Sequence, residues 1–383
     1  MYAIDEVAAD AEAFRRAVAE RRAFRPLYVK IKLMFGCNLK CEMCNHWRET
    51  RETPLSIARF KEAIGELAAL GCRKIHFSGG EPLLRPQAPD LVAHATALGL
   101  RVTMTTNGTL VDKALAKNLV ESGLRGVNVS LDSPERKVHD RVRGVSGVWK
   151  DTTRAIQLFR RYAHKGKVTV RINTVVSRST YASLAPLPDL AASLGANALN
   201  LIPVDDHCGE HLSLRRRDIE DYNARIAPGI AKRALTLGLM RDEREAYPFG
   251  KTSRDLSLAK RGNYAFGWYD RHPCFAPWTH SLIDFNGLVY VCCMTREQIA
   301  PIGDLKTSSF TDIWTGAGYQ AIRRMMHPPA LSPCRRCDDF VEENRQLLRV
   351  LSHQIQLKSE NVSSPSVSSH SSAAANKAMS PAS

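Results

Sequence analysis

Three cysteines stand within ten residues, in the run Phe35-Gly36-Cys37-Asn38-Leu39-Lys40-Cys41-Glu42-Met43-Cys44. A CX3CX2C spacing lets three thiolates wrap one metal centre from a single loop. A zinc ion would want a fourth ligand close by, and His46 is the only local candidate. A conventional [4Fe–4S] site also needs four cysteines, and no fourth is near in the sequence. With only three, one iron of such a cluster stays open to a ligand from outside the protein. A second set begins at Cys274; twelve residues then lead to Gly287, four more to Cys292, and the pair Cys334-Arg335-Arg336-Cys337 completes it. By residue type this set suits a zinc ribbon as well as an iron–sulfur cluster. Cys293 is the rival of Cys292, and on an extended strand it points to the opposite face. Cys72 falls in a helix-to-strand turn and reads as a small buried residue. Cys208, in Pro203-Val204-Asp205-Asp206-His207-Cys208-Gly209, lies in the loop after the sixth strand, near the rim where such sheets bind ligands.

These residues need elements to position them. Apolar β-type runs alternate with helix-period segments, the pattern of βα units around a parallel sheet. Six strands are predicted, at Tyr28–Met34, Lys74–Phe77, Arg101–Thr105, Gly126–Leu131, Val168–Val176 and Ala198–Ile202, with helices such as Ser56–Leu70 and Val148–His164 between them. Six parallel units fit an open doubly wound sheet or a partial barrel. The first cysteine run follows the first strand, and Ser78-Gly79-Gly80-Glu81-Pro82 follows the second. Thr106-Asn107-Gly108 ends the third and Ser130-Leu131-Asp132 the fourth, at the rim where such sheets bind ligands. Arg171 and Asn173 alternate with apolar neighbours on the fifth strand and share a face, where polar groups need a ligand or each other. Asp284 to Val291 reads as a hairpin whose Asn286-Gly287 turn returns the second strand to deliver Cys292.

The chain has 383 residues, 44% of them hydrophobic, enough for one large domain and a smaller one. No apolar run is long enough for a membrane span and the charged first 25 residues hold no signal-peptide core, so a cytoplasmic protein is expected. In that reducing compartment the ten cysteines are not expected to form disulfides. The net charge of +15 is spread along the chain without a basic block, so nucleic acid is not the expected partner. Beyond Leu357 the residues are mostly small and polar and are expected to be disordered.

Together these motifs resemble the radical S-adenosylmethionine (SAM) superfamily. The resemblance implies a partial (β/α)6 TIM-type barrel of α/β class with a small C-terminal iron–sulfur domain. It implies a [4Fe–4S] cluster on Cys37, Cys41 and Cys44, with the amino and carboxylate groups of SAM on the open iron. The position before the third cysteine is usually aromatic and contacts adenine; here it is Met43, whose polarizable thioether can still pack on an adenine face. Gly79, Gly80 and Glu81 resemble the GGEP motif that receives the SAM amino group. Asn107, Ser130 and Asp132 fall where related enzymes contact ribose and the amino-acid moiety, and Arg143 resembles the arginine that pairs with the SAM carboxylate. Arg171, on the inward face of the fifth strand, is a further cofactor-binding candidate. Asn107 is equally a turn residue, Asp132 a helix N-cap and Arg143 a solvated arginine. The second set, Cys274, Cys292, Cys334 and Cys337, resembles the shorter, twitch form of the SPASM domain, which holds one auxiliary [4Fe–4S] cluster. The implied division is an N-terminal helix at 1–25, a barrel core at 26–204, a helical connector at 205–267, the auxiliary-cluster domain at 268–345, a helix end at 346–357 and a disordered tail at 358–383.

Such an enzyme cleaves SAM reductively to a 5′-deoxyadenosyl radical that abstracts a substrate hydrogen atom, with a flavodoxin- or ferredoxin-type electron donor. The expected outcome is a two-electron oxidation of a small polyol, aminocyclitol or sugar-type molecule. A ribosomal-peptide maturase and a radical epimerase using Cys208 are the alternatives. A non-catalytic iron–sulfur or zinc protein that binds RNA is the reading from another class.

Overall fold

In the strands, residues that pack under helices alternate with residues that face the opposite side, and that alternation sets the architecture. The computed structural model describes residues 4–48, 53–163, 168–206 and 209–362. Cys208, His164 and the segment 363–383 therefore lie outside the described residues. Two short helices, α1 (Asp5–Ala8) and α2 (Ala11–Ala19), precede β1 (Tyr28–Lys32). Then come α3 (Ile57–Ala69), β2 (Lys74–Ser78), α4 (Ala88–Ala97), β3 (Arg101–Thr106), α5 (Lys113–Glu121) and β4 (Leu124–Ser130). The barrel continues through α6 (Arg136–Arg143), α7 (Val148–Tyr162), β5 (Thr169–Val176), α8 (Leu187–Ser193) and β6 (Ala198–Pro203). Each crossover joins parallel neighbours through a helix, as short βα units require. Ser56 caps α3 by accepting from the Arg59 amide, and Asp112 caps α5 by accepting from the Leu115 amide.

The result is the partial (β/α)6 TIM-type barrel of the expectation, with each strand within a few residues of its predicted limits. On β5, Val170, Ile172, Thr174 and Val176 are buried under the helices, while Arg171, Asn173 and Val175 face the lumen. Register carries this pattern across the sheet: Lys32 lies opposite Ser78, and Asn128 opposite both Thr105 and Arg171. The lumen is therefore polar.

Past the barrel, α9 (Arg216–Asp221), α10 (Ala227–Thr236) and α11 (Ser253–Ala259) form the connector. The chain then enters α12 (Ala276–Thr279), β7 (His280–Ile283), β8 (Leu288–Tyr290), β9 (Gly303–Asp304), α13 (Phe310–Thr315), α14 (Ala317–Arg324) and α15 (Val341–Val362). The hairpin turn lies at Asn286-Gly287, with Gly287 at φ +94°, in the left-handed region open to glycine. Its first strand has a further partner that the sequence does not announce: β7 pairs parallel with β1, Tyr28 opposite His280 and Ile31 opposite Ile283. Among the described residues one sheet of nine strands runs β6-β5-β4-β3-β2-β1-β7-β8-β9, and β1 is interior to it. Helix α15 extends to Val362, past the predicted helix end at Leu357.

Candidate functional site

β1 ends at Lys32 and the chain turns out of the sheet into the cysteine run, which two neighbours strap down. On one side the amides of Gly80 and Glu81 donate to the carbonyls of Met34 and Gly36, at 2.9 and 3.0 Å. A Cβ on Gly80 would overlap the carbonyl oxygens of Phe35 and Gly36, so only glycine lets the two loops approach this closely. On the other side the amides of Lys40 and Glu42 donate to the carbonyls of Arg143 and Val142 at the end of α6, at 3.1 and 3.0 Å. The Trp47 indole donates to the Cys41 carbonyl at 3.0 Å.

All three thiols are free, and each sulfur has a side-chain nitrogen beside it. Asn107 Nδ2 lies 3.8 Å from Cys37 Sγ, Arg143 Nη1 3.7 Å from Cys41 Sγ, and His46 Nδ1 3.1 Å from Cys44 Sγ. Three donors aimed at three sulfurs suit thiolates, which accept such bonds far better than neutral thiols. Burial pushes the Cys37 thiol up to about 11 and raises the Cys41 thiol as well, so both favour the protonated form unless a metal centre binds them. The donor set thus fits an anionic three-thiolate ligand for an iron–sulfur cluster.

The remaining predicted positions divide into two kinds. Glu81 is wholly buried and its carboxylate is taken: Oε1 accepts from Thr106 Oγ1 at 2.8 Å and the Leu83 amide at 3.1 Å, and Oε2 accepts from the Asn107 amide at 2.8 Å. Burial pushes its carboxyl up to about 7 despite these bonds. Asn107 in turn donates to Asn38 Oδ1 at 2.9 Å and accepts from the Thr109 amide, so it ties the end of β3 to the cysteine run. Asp132 and Arg143 are also buried and paired with each other, Nε to Oδ2 at 2.7 Å, while Asp132 Oδ1 accepts from the Val175 amide. These four side chains form the frame around the cysteines.

The others are not part of that frame. Ser130 is half-buried at the end of β4 and Arg171 lies exposed on the lumen face of β5, while Gly79, with φ +148°, turns the chain out of β2 against the backbone of Met34, where a Cβ would overlap the carbonyl oxygen. Met43 packs with the small apolar cluster of Leu39, Cys41 and Val148 beneath the loop.

The second set is built on the C-terminal segment. Cys274 precedes α12, Cys292 follows β8, and Cys334 and Cys337 lie on and just after a 3-10 turn at Ser332–Arg336. Burial raises all four thiols, and each is raised further by at least one of the others. Asn344 of α15 donates to Cys274 Sγ at 3.7 Å. Cys293 faces the other way, its thiol donating to Asp339 Oδ2 at 2.7 Å; Lys30 of β1 is 3.8 Å from the same oxygen. Sequence reasoning passed over Lys30, Lys32 and Asp339, and named His46 only as a possible fourth ligand to zinc. The alternation on β1 was the available signal for the two lysines.

A mutation tests the glycine strap. Gly80→Ala is expected to destabilise the fold by about 2–3 kcal/mol, the usual cost of forced overpacking. Iron at the first site should fall by more than half while the second set keeps its own, as measured by anaerobic iron analysis and EPR. Full first-site iron in this variant would remove the role given to Gly80.

Comparisons with known proteins agree with this geometry. The model of the radical SAM superfamily matches residues 31–178, and that of an iron–sulfur cluster-binding domain, SPASM, residues 274–338. The PqqA peptide cyclase of Streptomyces rochei is 30% identical over 324 residues, which are 82% of this chain and 83% of that protein. The AdoMet-dependent heme synthase of Methanosarcina barkeri is 33% identical over 179 residues, 46% of this chain and 50% of the relative, so the match spans half of that protein. Among solved structures, Streptococcus suis SuiB bound to precursor peptide SuiA has a TM-score of 0.61 at 19% identity, over 84% of this chain and 72% of that one. AnSMEcpe with bound AdoMet has a TM-score of 0.60 at 16% identity, over 88% of this chain and 100% of that one.

Proposed function

The chain belongs to the radical SAM superfamily and carries a SPASM-type iron–sulfur domain, and from that premise we propose that it oxidises a peptide substrate. Cys37, Cys41 and Cys44 hold the SAM-binding [4Fe–4S] cluster, and Cys274, Cys292, Cys334 and Cys337 hold the auxiliary one. When bound, the first cluster and SAM supply a 5′-deoxyadenosyl radical that takes a hydrogen atom from an unactivated carbon. Asn107, Arg143 and His46 keep the three sulfurs in place, while Glu81 and Asp132 hold those residues from behind. The polar lumen residues Asn173 and Arg171 and the rim residue Ser130 orient SAM and substrate. Cys274, Cys292, Cys334 and Cys337 would hold a group able to accept the electron left on the substrate, and with loss of a proton the net change would be a two-electron oxidation.

One observation carries this reading: β1 is hydrogen-bonded to β2 on one side and to β7 on the other. The strand that launches the first cysteine run is therefore the direct neighbour of the hairpin that delivers Cys292. A peptide is favoured because the relative matched over most of both chains is a peptide cyclase and SuiB is seen with a precursor peptide. A small polyol or sugar-type substrate draws no support from these likenesses, and neither does a non-catalytic RNA-binding role. A low-potential, one-electron donor of flavodoxin or ferredoxin type completes the reaction. Among the described residues no helix is long and apolar enough to cross a membrane.

The test is anaerobic turnover with SAM, dithionite and precursor peptides encoded beside the gene. The expected product has lost two hydrogens, with one 5′-deoxyadenosine formed per product. Turnover of a polyol but of no peptide would overturn the substrate class. An unchanged mass in water, with one deuterium gained in deuterated water and lost in Cys208→Ala, would establish the epimerase reading instead.

A further inference from the structure

The three nitrogen donors around the first cysteine run differ in charge. Asn107 is neutral. Arg143 is cationic, but Asp132 at 2.7 Å balances it. His46 is backed by a cation with no such balance: Lys32 Nζ lies 3.3 Å from His46 Nε2, and among the described residues Lys32 forms no ion pair with a carboxylate. The nearby carboxylates are engaged elsewhere, Asp284 with Arg296 at 2.6 Å, Asp339 with Lys30 and the Cys293 thiol, and Glu81 with its three donors.

This arrangement fixes the histidine tautomer. An ammonium group has only donors, so the Nε2 facing it is bare and accepts, and the ring proton sits on Nδ1, facing Cys44 Sγ at 3.1 Å. The ring is held flat against Phe35, with centroids 4.8 Å apart and planes 28° apart, and the Arg296 guanidinium lies over Phe35. Lys32 is on the lumen face of β1, where the partner strands fix its position.

We infer that Lys32 and His46 act as a dyad that sets the reduction potential of the first cluster: Lys32 donates to Nε2, His46 Nδ1–H donates to the sulfur of Cys44, and the unbalanced positive charge favours the more negative, reduced cluster. Hydrogen bonds to ligand sulfurs and nearby charge are the protein's levers on such potentials. The role of both residues is positioning and electrostatic. Neither need touch substrate. The inference rests on Cys44 being a cluster ligand.

The experiment is an EPR-monitored redox titration of the anaerobically reconstituted full chain, following the signal that changes on adding SAM, since only the first cluster responds to it. Lys32→Met keeps the apolar stem and removes the charge, Lys32→Arg keeps the charge, and His46→Phe keeps the stacked ring and removes the donor. At a fixed potential near the wild-type midpoint, Lys32→Met and His46→Phe should each lower the ratio of reduced to oxidised cluster at least tenfold, about 59 mV for a one-electron couple. Lys32→Arg should change it less than threefold, and the double variant should fall no further than His46→Phe alone by more than twofold. Ratios within twofold of wild type in both single variants, with full iron, would overturn the dyad. If Lys32→Met fails to load iron, His46→Phe decides by the same limits. A Cys44→Ala protein that keeps the SAM-responsive signal would instead overturn the ligand assignment beneath it.

Discussion

Replacing Cys37, Cys41 and Cys44 together by alanine should remove about half of the iron and all SAM cleavage. Reconstituted wild-type protein should hold about eight irons, two four-iron cubanes on ligand sets of three and four cysteines. The loss should be selective because the first run is anchored through backbone amides of Lys40, Glu42, Gly80 and Glu81, none of which depends on a cysteine side chain. The barrel therefore keeps its shape while the ligands go. Iron analysis, the SAM-responsive EPR signal and 5′-deoxyadenosine formation measure the three consequences separately. SAM cleavage at the wild-type rate in this variant would end the assignment of the first site.

Removal of Cys334 and Cys337 should have the complementary effect. About four irons and the SAM-responsive signal should remain, 5′-deoxyadenosine should still form at a reduced, uncoupled rate, and oxidised product should fall below detection. The two cysteines lie on and just after a short 3-10 turn outside the barrel strands, and Phe275 and Asn344 are bonded to each other at 2.7 Å without them. A full chain that took up one zinc in place of the second set of irons, with product formation intact, would give that set a structural role.

Much of this architecture could be read from the residues because its signals are local. Strand alternation, the CX3CX2C and CX2C spacings and the Asn286-Gly287 turn all operate within a dozen positions. What escaped depends on contacts between distant segments. Lys30 meets Asp339 and His280 pairs beside Tyr28, and no period in the sequence links residues so far apart. Arg143 read as a ligand arginine because its type suits a carboxylate; it has found one, but that carboxylate is Asp132. The two glycines read as room for a ligand, yet Gly80 makes room for the neighbouring backbone of Phe35 and Gly36. Glycine type reports a close approach without naming what approaches. The tautomer of His46 follows only once Lys32 is seen on its far side.

A barrel left open also has two bare margins, and each is a template on which a foreign strand could grow. At one margin β9 is only two residues long, Gly303 and Asp304, and the chain leaves it at once for a loop. At the other, β6 gives up one of its outward amides, that of Leu199, to the Leu239 carbonyl at 3.0 Å. Bare rims of this kind would let copies of the chain join edge to edge. Short length on one side and a capping segment on the other leave little free edge for that pairing.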